Sequence, residues 1–134
     1  MSATETKSDR HYTKDHEWAK EVSGEVLIGI TAFAVDQLGD ITLVGLDVAV
    51  GDEVTAGKVF GTIESVKTLS DLYAPVTGKV VRINADLENA PELINEDPWE
   101  KGWMLAIAPT KLDAEKSGLL DAAGYAAHLE NSDH

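Results

Sequence analysis

Lys67 is the residue whose surroundings in the sequence most favour chemistry. It lies in a short polar segment with Glu64, Ser65, Ser70 and Asp71, between two runs of residues that favour β-strands. This pattern predicts a hairpin with Lys67 at a tip exposed to water. A solvated, charged lysine is a poor acid–base catalyst, although a modifying enzyme can reach it easily. The segment therefore favours an attachment point, with an ordinary surface lysine as the alternative.

The other reactive residue types offer little for catalysis or metal binding. The sequence has no cysteine, which excludes disulfides, thiolate metal ligands and cysteine nucleophiles, so any redox sulfur must come from a cofactor. No H-E-x-x-H zinc motif, phosphate-binding glycine loop or G-x-S-x-G motif occurs. His128 and His134 are expected to be solvated. We therefore expect neither a catalytic residue nor a metal site.

The elements next to Lys67 are expected to be stiff strands. Ile63 and Leu72 should anchor the two strands of its hairpin in the core, so that the tip is held still. Alternating apolar residues over positions 17–30 predict another hairpin. Thr31 is a suitable N-cap and Gly39 a suitable end for a short helix between these two hairpins.

The second half of the chain predicts a mainly β fold with a C-terminal helix, in the α+β class. Short strands are expected near positions 80–83 and 104–107, and residues 87–102, rich in Asn, Pro and acidic residues, should be irregular. Apolar residues at helical spacing predict a helical segment at about 110–130. We expect residues 1–10 to be a flexible terminus and residues 11–134 to form a single domain.

Composition and charge restrict the classes of function. With 134 residues, of which 43% are hydrophobic and 26% charged, the chain suits one folded domain, and no run of 18 apolar residues could span a membrane. Its net charge of −13 argues against nucleic acid and favours docking on basic surfaces, although acidity could simply keep a small protein soluble. The polar N-terminus resembles neither a signal nor a transit peptide, which favours the cytoplasm of a bacterium over the mitochondrial matrix.

Several blocks of the sequence resemble the H-protein family of the glycine cleavage system. The segment around Lys67, ESVK (64–67) followed by SD (70–71) and APVTG (74–78), is similar to the family's lipoyl-attachment segment. Further blocks follow in the family's order and with similar spacing over roughly residues 11–110: YTKDHEW (12–18), GIT (29–31), LGDI (38–41), VGDEV (50–54), PELINEDP (91–98) and GWM (102–104). So many blocks in series are far more specific than one short motif.

The resemblance implies a carrier rather than an enzyme. Lys67 would hold lipoic acid in amide linkage on a flattened antiparallel β-sandwich or barrel of the biotinyl/lipoyl-carrier type, a barrel-sandwich hybrid. A pyridoxal-phosphate glycine decarboxylase would load an aminomethyl group onto the arm, and a tetrahydrofolate-dependent aminomethyltransferase would unload it. A dihydrolipoyl dehydrogenase would then reoxidise the arm. Tethering keeps the cofactor at a high effective concentration near each partner.

The resemblance also implies roles for acidic residues. Glu17 matches the family position that is associated with docking of the loaded arm, and the competing interpretation is an ordinary exposed strand glutamate. Glu64, Ser65 and Asp71 would be recognised by lipoylating enzymes, or would simply be turn residues. One departure is that Ala32-Phe33 stands where many members have an acidic residue before an aromatic or histidine, so one polar contact for the arm is missing.

Other functions remain open at this stage. The protein could donate or relay lipoate during lipoylation of other proteins, which also requires Lys67, or it could be an interaction module that carries nothing. It could also be a biotinyl or lipoyl domain of another complex. Biotinyl domains typically flank their lysine with methionines, whereas Val66 and Thr68 flank Lys67 here. No linker toward an acyltransferase follows the domain, which argues against a 2-oxo-acid dehydrogenase component.

Overall fold

Two antiparallel sheets form the body of the protein in this computed structural model, which describes residues 4–131. Residues 1–3 and 132–134 lie outside the described residues. They include His134, the first residues of the predicted terminus (1–10) and the last residues of the predicted domain (11–134). The elements, in chain order, are β1 (His11–Tyr12), β2 (Glu17–Val22), β3 (Glu25–Ile30), α1 (Ala32–Leu38), β4 (Ile41–Leu46), β5 (Glu53–Val54), β6 (Val59–Ser65), β7 (Leu69–Tyr73), β8 (Gly78–Ile83), α2 (Asp86–Asn89), α3 (Leu93–Glu96), β9 (Leu105–Pro109), α4 (Leu112–Lys116) and α5 (Ala122–Asn131).

The sheets differ in size and share one core. The larger follows the order β1-β2-β3-β9-β8-β5, and the smaller follows β4-β6-β7. Alternate residues of β3, namely Val26, Ile28 and Ile30, point into a core to which Ile63 and Leu72 of the smaller sheet also contribute. The period of two is what a strand with one buried face requires. The prediction of a mainly β fold with a C-terminal helix is confirmed.

Helix α1 connects the two sheets, and it begins after Thr31 and ends at Gly39 as the sequence predicts. The side-chain oxygen of Thr31 accepts a hydrogen bond from the backbone N–H of Ala34, at 3.2 Å. Gly39 ends the helix with φ of +78°, a conformation that side chains rarely adopt. A glycine at this position lets the chain turn directly into β4.

The prediction that residues 87–102 are irregular is wrong in part. Helix α3 (Leu93–Glu96) lies within this segment, and helix α2 (Asp86–Asn89) overlaps its start. Each of these short helices buries one apolar side chain, Leu87 in α2 and Ile94 in α3. A helix of one turn buries a single position and so shows no periodicity in the sequence.

The prediction of a flexible terminus over residues 1–10 is wrong at Arg10, because only 3% of this residue is exposed. Its Nη1 donates a hydrogen bond to the carbonyl oxygen of Trp99 at 2.9 Å, and its guanidinium carbon lies 4.6 Å from the centre of the Trp18 ring. An arginine can be buried in this way because its planar cation stacks on aromatic rings while its N–H groups find acceptors.

The C-terminal segment is helical, but it is divided in two. Helices α4 and α5 are separated by residues 117–121, and α5 packs Tyr125 and Leu129 against Tyr12 and Trp18 in a second apolar cluster. The expected apolar stripe thus lies in the core. Among the described residues, no helix has both the length and the apolar character needed to cross a membrane.

Candidate functional site

Lys67 lies where the sequence predicts it, at the exposed tip of the β6–β7 hairpin. In this hairpin Ile63 pairs with Ser70, and Glu64 pairs with Leu69. Ile63 and Leu72 are buried as predicted, so both strands are anchored in the core. The backbone N–H of Ser65 donates to the carbonyl oxygen of Thr68 at 2.9 Å and closes the tip. The lysine therefore projects from a short, tethered turn.

Ser65 holds the tip in shape from within. Its side-chain oxygen accepts hydrogen bonds from the backbone N–H groups of Lys67 and Thr68, both at 3.2 Å. A serine that bonds the backbone two and three residues further on is a common means of stabilising a turn. These contacts match the interpretation of Ser65 as a turn residue.

The end of helix α1 supports the tip from the side. The N–H of Val66 donates to the carbonyl oxygen of Asp40 at 3.0 Å. A methyl group on Gly39 would lie 3.3 Å from Cε of Lys67, so the aliphatic part of the lysine passes close over this glycine. Residues 39–41 are therefore the platform on which the lysine rests.

Asn95 of α3 clamps this platform, and sequence analysis gave it no role. Its Nδ2 donates to the carbonyl oxygen of Gly39 at 2.9 Å, and its Oδ1 accepts from the N–H of Ile41, also at 2.9 Å. The two bonds enclose Asp40, whose carbonyl oxygen holds the tip. The partners lie 56 and 54 residues away along the chain. No local pattern could therefore have indicated the contact.

We expect Asn95→Ala to loosen the lysine tip. The substitution removes both bonds to the platform and should lower the free energy of unfolding by about 1–3 kcal/mol. Deuterium exchange at the Val66 amide should become faster, which hydrogen-exchange mass spectrometry or NMR would measure. Asn89→Ala, at an exposed position of the neighbouring helix α2, is the control and should change neither quantity. Unchanged exchange at Val66 in Asn95→Ala would show that the clamp does not reach the tip.

A cleft of 830 Å³ opens beside the hairpin, between α1, the loop before β2, and β7. Such a volume is within the usual range for small-molecule sites. Its walls mix apolar side chains with several charged ones. The lining residues are Lys14, Asp15, His16, Glu17, Ile30, Phe33, Ala34, Gln37, Leu38, Ile63, Ser70, Asp71, Leu72 and Tyr73.

Glu17 supplies a buried carboxyl group to this cleft. Only 2% of the residue is exposed, so its interpretation as an ordinary exposed strand glutamate is wrong. Oε1 accepts a hydrogen bond from the Thr13 hydroxyl at 2.7 Å, and Oε2 accepts one from the Tyr73 N–H at 3.3 Å. Burial raises the pKa of Glu17 to about 7, although these bonds oppose the rise. The group can therefore gain or lose a proton near neutral pH.

His16 connects the rim of the cleft to helix α5. Its Nδ1 lies 2.7 Å from the Tyr125 hydroxyl, which lies 2.8 Å from the Thr31 hydroxyl. Burial, reinforced by the nearby His128, lowers the pKa of His16 below its ordinary value, whereas burial raises the pKa of Tyr125. Both shifts favour the uncharged forms of the two side chains, which suits a hydrogen bond from the Tyr125 hydroxyl to Nδ1 of His16.

The structure divides the site residues that the sequence predicts into two groups. Glu17 and Asp71 line the cleft, whereas Glu64, Ser65 and Lys67 do not. Phe33 contributes its ring to the wall, and the buried Ala32 adds no polar group. An arm attached at the exposed tip would thus have, beside its point of attachment, a cleft with apolar and charged walls and one buried carboxyl group, that of Glu17.

Comparisons with known proteins point to one family. The model of the glycine cleavage H-protein family matches residues 10–132. The chain is 50% identical over 123 residues to the glycine cleavage system H protein of Oceanobacillus iheyensis, covering 92% of this chain and 96% of that one. It is 52% identical over 120 residues to the corresponding protein of Magnetococcus marinus, covering 90% of this chain and 84% of that one.

A solved structure agrees with the sequence relatives. The crystal structure of a glycine cleavage system H protein from Mycobacterium marinum superposes with a TM-score of 0.85 at 39% identity. The match covers 93% of this chain and 99% of the other. The predicted sandwich of the biotinyl/lipoyl-carrier type is thereby confirmed.

Proposed function

Because the chain belongs to the glycine cleavage H-protein family, we propose that Lys67 is the residue to which its lipoyl group is attached. The protein is the lipoyl-bearing carrier of the glycine cleavage system and is not itself a catalyst. The observation that carries the proposal is the position of Lys67, exposed on a tip that Ser65 and the Gly39–Asp40 backbone hold in place. Only the side chain is then free to move.

The cleft suits an arm of this kind. A lipoyl group supplies a cyclic disulfide that takes up the one-carbon amine unit and is reduced in doing so. Phe33 and Ala34, which line the cleft and are partly exposed, offer apolar contacts to its hydrocarbon chain and ring. We assign the chain from Arg10 onward to one lipoyl-carrier domain, because Arg10 is buried against Trp18 and Trp99 and the two apolar clusters together include residues from Tyr12 to Leu129.

Glu17 is proposed to hold the amine of the loaded arm. A buried carboxylate attracts a cation more strongly than a solvated one does, because less water screens the interaction. The hydrogen bonds from Thr13 and Tyr73 fix its two oxygens in the wall of the cleft. Asp71 lies on the same cleft and adds negative charge. A docked arm would be protected from water until a partner enzyme removes it.

The partners follow from the family. We propose that a pyridoxal-phosphate glycine decarboxylase loads the arm, a tetrahydrofolate-dependent aminomethyltransferase unloads it, and dihydrolipoyl dehydrogenase reoxidises it. Lipoylating enzymes would recognise Glu64, Ser65 and Asp71. A net charge of −13 supports rapid and reversible encounters with basic enzyme surfaces. The bacterial relatives support the proposed cytoplasmic location.

Reconstitution tests this role. The chain, lipoylated by a purified lipoate–protein ligase, is mixed with glycine decarboxylase, and release of labelled CO2 from glycine is followed. We expect a rate that saturates with the lipoylated chain and almost no rate with the unmodified chain. Acceptance of acyl groups from a 2-oxo-acid dehydrogenase together with no response to glycine decarboxylase would contradict the proposal.

A further inference from the structure

Thr13 lies behind the wall of the cleft and closes the loop that carries Glu17. It is partly buried and is not among the residues that line the cleft. Its backbone N–H donates to the carbonyl oxygen of Glu17 at 2.9 Å, and its carbonyl oxygen accepts from the N–H of His16 at 3.2 Å. His16 has a φ of +73°, a conformation that residues other than glycine rarely adopt. Thr13 thus ties together a tight loop that ends at the buried carboxyl group.

The hydrogen bonds of the Thr13 hydroxyl have only one consistent direction. Its oxygen accepts from the backbone N–H groups of Asp15 and Glu17, both at 3.2 Å. A hydroxyl has one proton and two acceptor lone pairs, and these two bonds occupy both lone pairs. The contact of 2.7 Å with Oε1 of Glu17 must therefore use the hydroxyl proton. Thr13 donates to this carboxyl group and cannot accept a proton from it.

Both contacts of the Glu17 side chain favour its ionised form. Oε1 faces the Thr13 proton, and Oε2 accepts from the backbone N–H of Tyr73 at 3.3 Å. A proton on the carboxyl group would find no acceptor in either partner, whereas hydrogen bonds to the charged form lower a pKa. Burial raises the pKa of Glu17 to about 7, and the bond from Thr13 is the largest influence that opposes this rise.

The neighbouring charges do not supply the same effect. The carboxylate of Asp15 raises the pKa of Glu17 and so opposes its ionisation. Burial, reinforced by His128, lowers the pKa of His16 and favours its neutral form. The other titratable residues that line the cleft or contact its rim are Lys14, Asp71, Tyr73 and Tyr125. Hydrogen-bond donors, Thr13 first among them, therefore favour the charge on Glu17.

We propose that Thr13 is a positioning residue for the amine of the loaded arm and acts through Glu17. It draws Oε1 toward the wall, favours the ionised carboxyl group in a buried place, and leaves the remaining lone pairs of both oxygens for an ammonium group. A charged acceptor holds an ammonium group far more strongly than a neutral carboxyl group does. The inference rests on the proposed docking of the amine at Glu17 and adds the residue that prepares this group before the arm arrives.

An NMR titration of the unmodified chain tests the contact itself. The carboxyl carbon of Glu17, labelled with carbon-13, is followed over pH in the unchanged protein and in variants at Thr13. Thr13→Val keeps the shape without the hydroxyl, so the pKa of Glu17 should rise by about 1 or more from its value of about 7. Thr13→Ala should give the same rise, and Thr13→Ser should restore the original pKa. Thr55→Val, at an exposed position after β5, is the control and should leave it unchanged.

The lifetime of the loaded arm tests the role in docking. The loaded protein is isolated, and its release of ammonia is followed without the aminomethyltransferase over the same pH range. At pH 7 the lifetime in Thr13→Val, relative to the unchanged protein, should fall about fivefold, because a pKa raised from about 7 to about 8 leaves roughly a tenth of the group ionised instead of half. This deficit should disappear near pH 9, and Thr13→Ser should not show it. A merely weakened fold would not recover at high pH.

The two measurements separate the possible outcomes. An unchanged pKa of Glu17 in Thr13→Val and Thr13→Ala would overturn the inference, as would an equal rise in Thr13→Ser or Thr55→Val. A deficit in lifetime of the same size at every pH would also overturn it, because only a structural role would remain. If the pKa rises but the lifetime does not change, the protection proposed for Glu17 fails and the inference fails with it. The titration needs no lipoyl group, so a chain that is not lipoylated at Lys67 would be recognised separately as a failure of the proposed function.

Discussion

Lys67→Arg should abolish lipoylation and all carrier activity while leaving the fold intact. Arginine keeps the positive charge and the length, but its guanidinium is too weak a nucleophile for amide formation. Lys67 is exposed at the tip, and its replacement by another long cation should change the free energy of unfolding by less than about 0.5 kcal/mol. Intact mass after treatment with ligase, and CO2 release with glycine decarboxylase, give the two functional readouts.

Lys58→Arg is the matched control for this substitution. Lys58 is also exposed and lies in the turn before β6, at the other end of the hairpin strand. Its variant should accept lipoate and support decarboxylation at unchanged rates. A lipoyl group remaining on Lys67→Arg would place the attachment at another lysine. Unfolding of Lys67→Arg would reveal a structural role for the lysine instead.

Glu17→Gln should shorten the lifetime of the loaded arm by about tenfold or more. The amide keeps the shape of the side chain and removes its negative charge, and hydrogen bonds to a charged group are worth about 1.5–3 kcal/mol. The loaded protein is isolated and its release of ammonia is followed without the aminomethyltransferase. Glu53→Gln, at an exposed position on β5, should leave the lifetime unchanged. Equal lifetimes in Glu17→Gln and the unchanged protein would show that Glu17 does not protect the arm.

The same substitution should alter the pH dependence of stability. Burial raises the pKa of Glu17 from 4.5 to about 7, so between these values the folded state binds more protons than the unfolded state. This contribution is fully present below pH 4.5 and is lost as pH rises through about 7. The shift corresponds to at most about 3 kcal/mol. Glu17→Gln should lack this contribution, and urea unfolding at pH 5 and pH 8 would show a smaller decrease than in the unchanged protein.

The lysine tip was predictable because its signals are local. Polar turn residues between strand formers placed Lys67 at an exposed tip, and the apolar alternation identified Ile63 and Leu72 as anchors. The cap residues Thr31 and Gly39 likewise act within a few positions of themselves. Such features depend on neighbours along the chain, and a sequence displays those neighbours directly.

The environment of the cleft was less predictable because distant segments create it. The sequence left open whether Glu17 docks the arm or is an exposed strand residue, and only the folded chain brings Tyr73, 56 positions away, into contact with its carboxylate. Asn95 reaches its two partners only after α3 packs against the turn before β4. Arg10 is buried because Trp18 and Trp99 close over it. Burial at these positions is a property of the tertiary fold and leaves no periodic trace in the sequence.

Intact mass followed by peptide mapping tests the central claim most directly. The protein is produced in a host that makes or receives lipoate, and its lysine-containing peptides are compared with those of the same protein from a host that lacks lipoate. We predict a mass gain of one lipoyl group, found entirely on the peptide that contains Lys67. A chain that remains unmodified in the competent host, or carries the group on another lysine, would contradict the account.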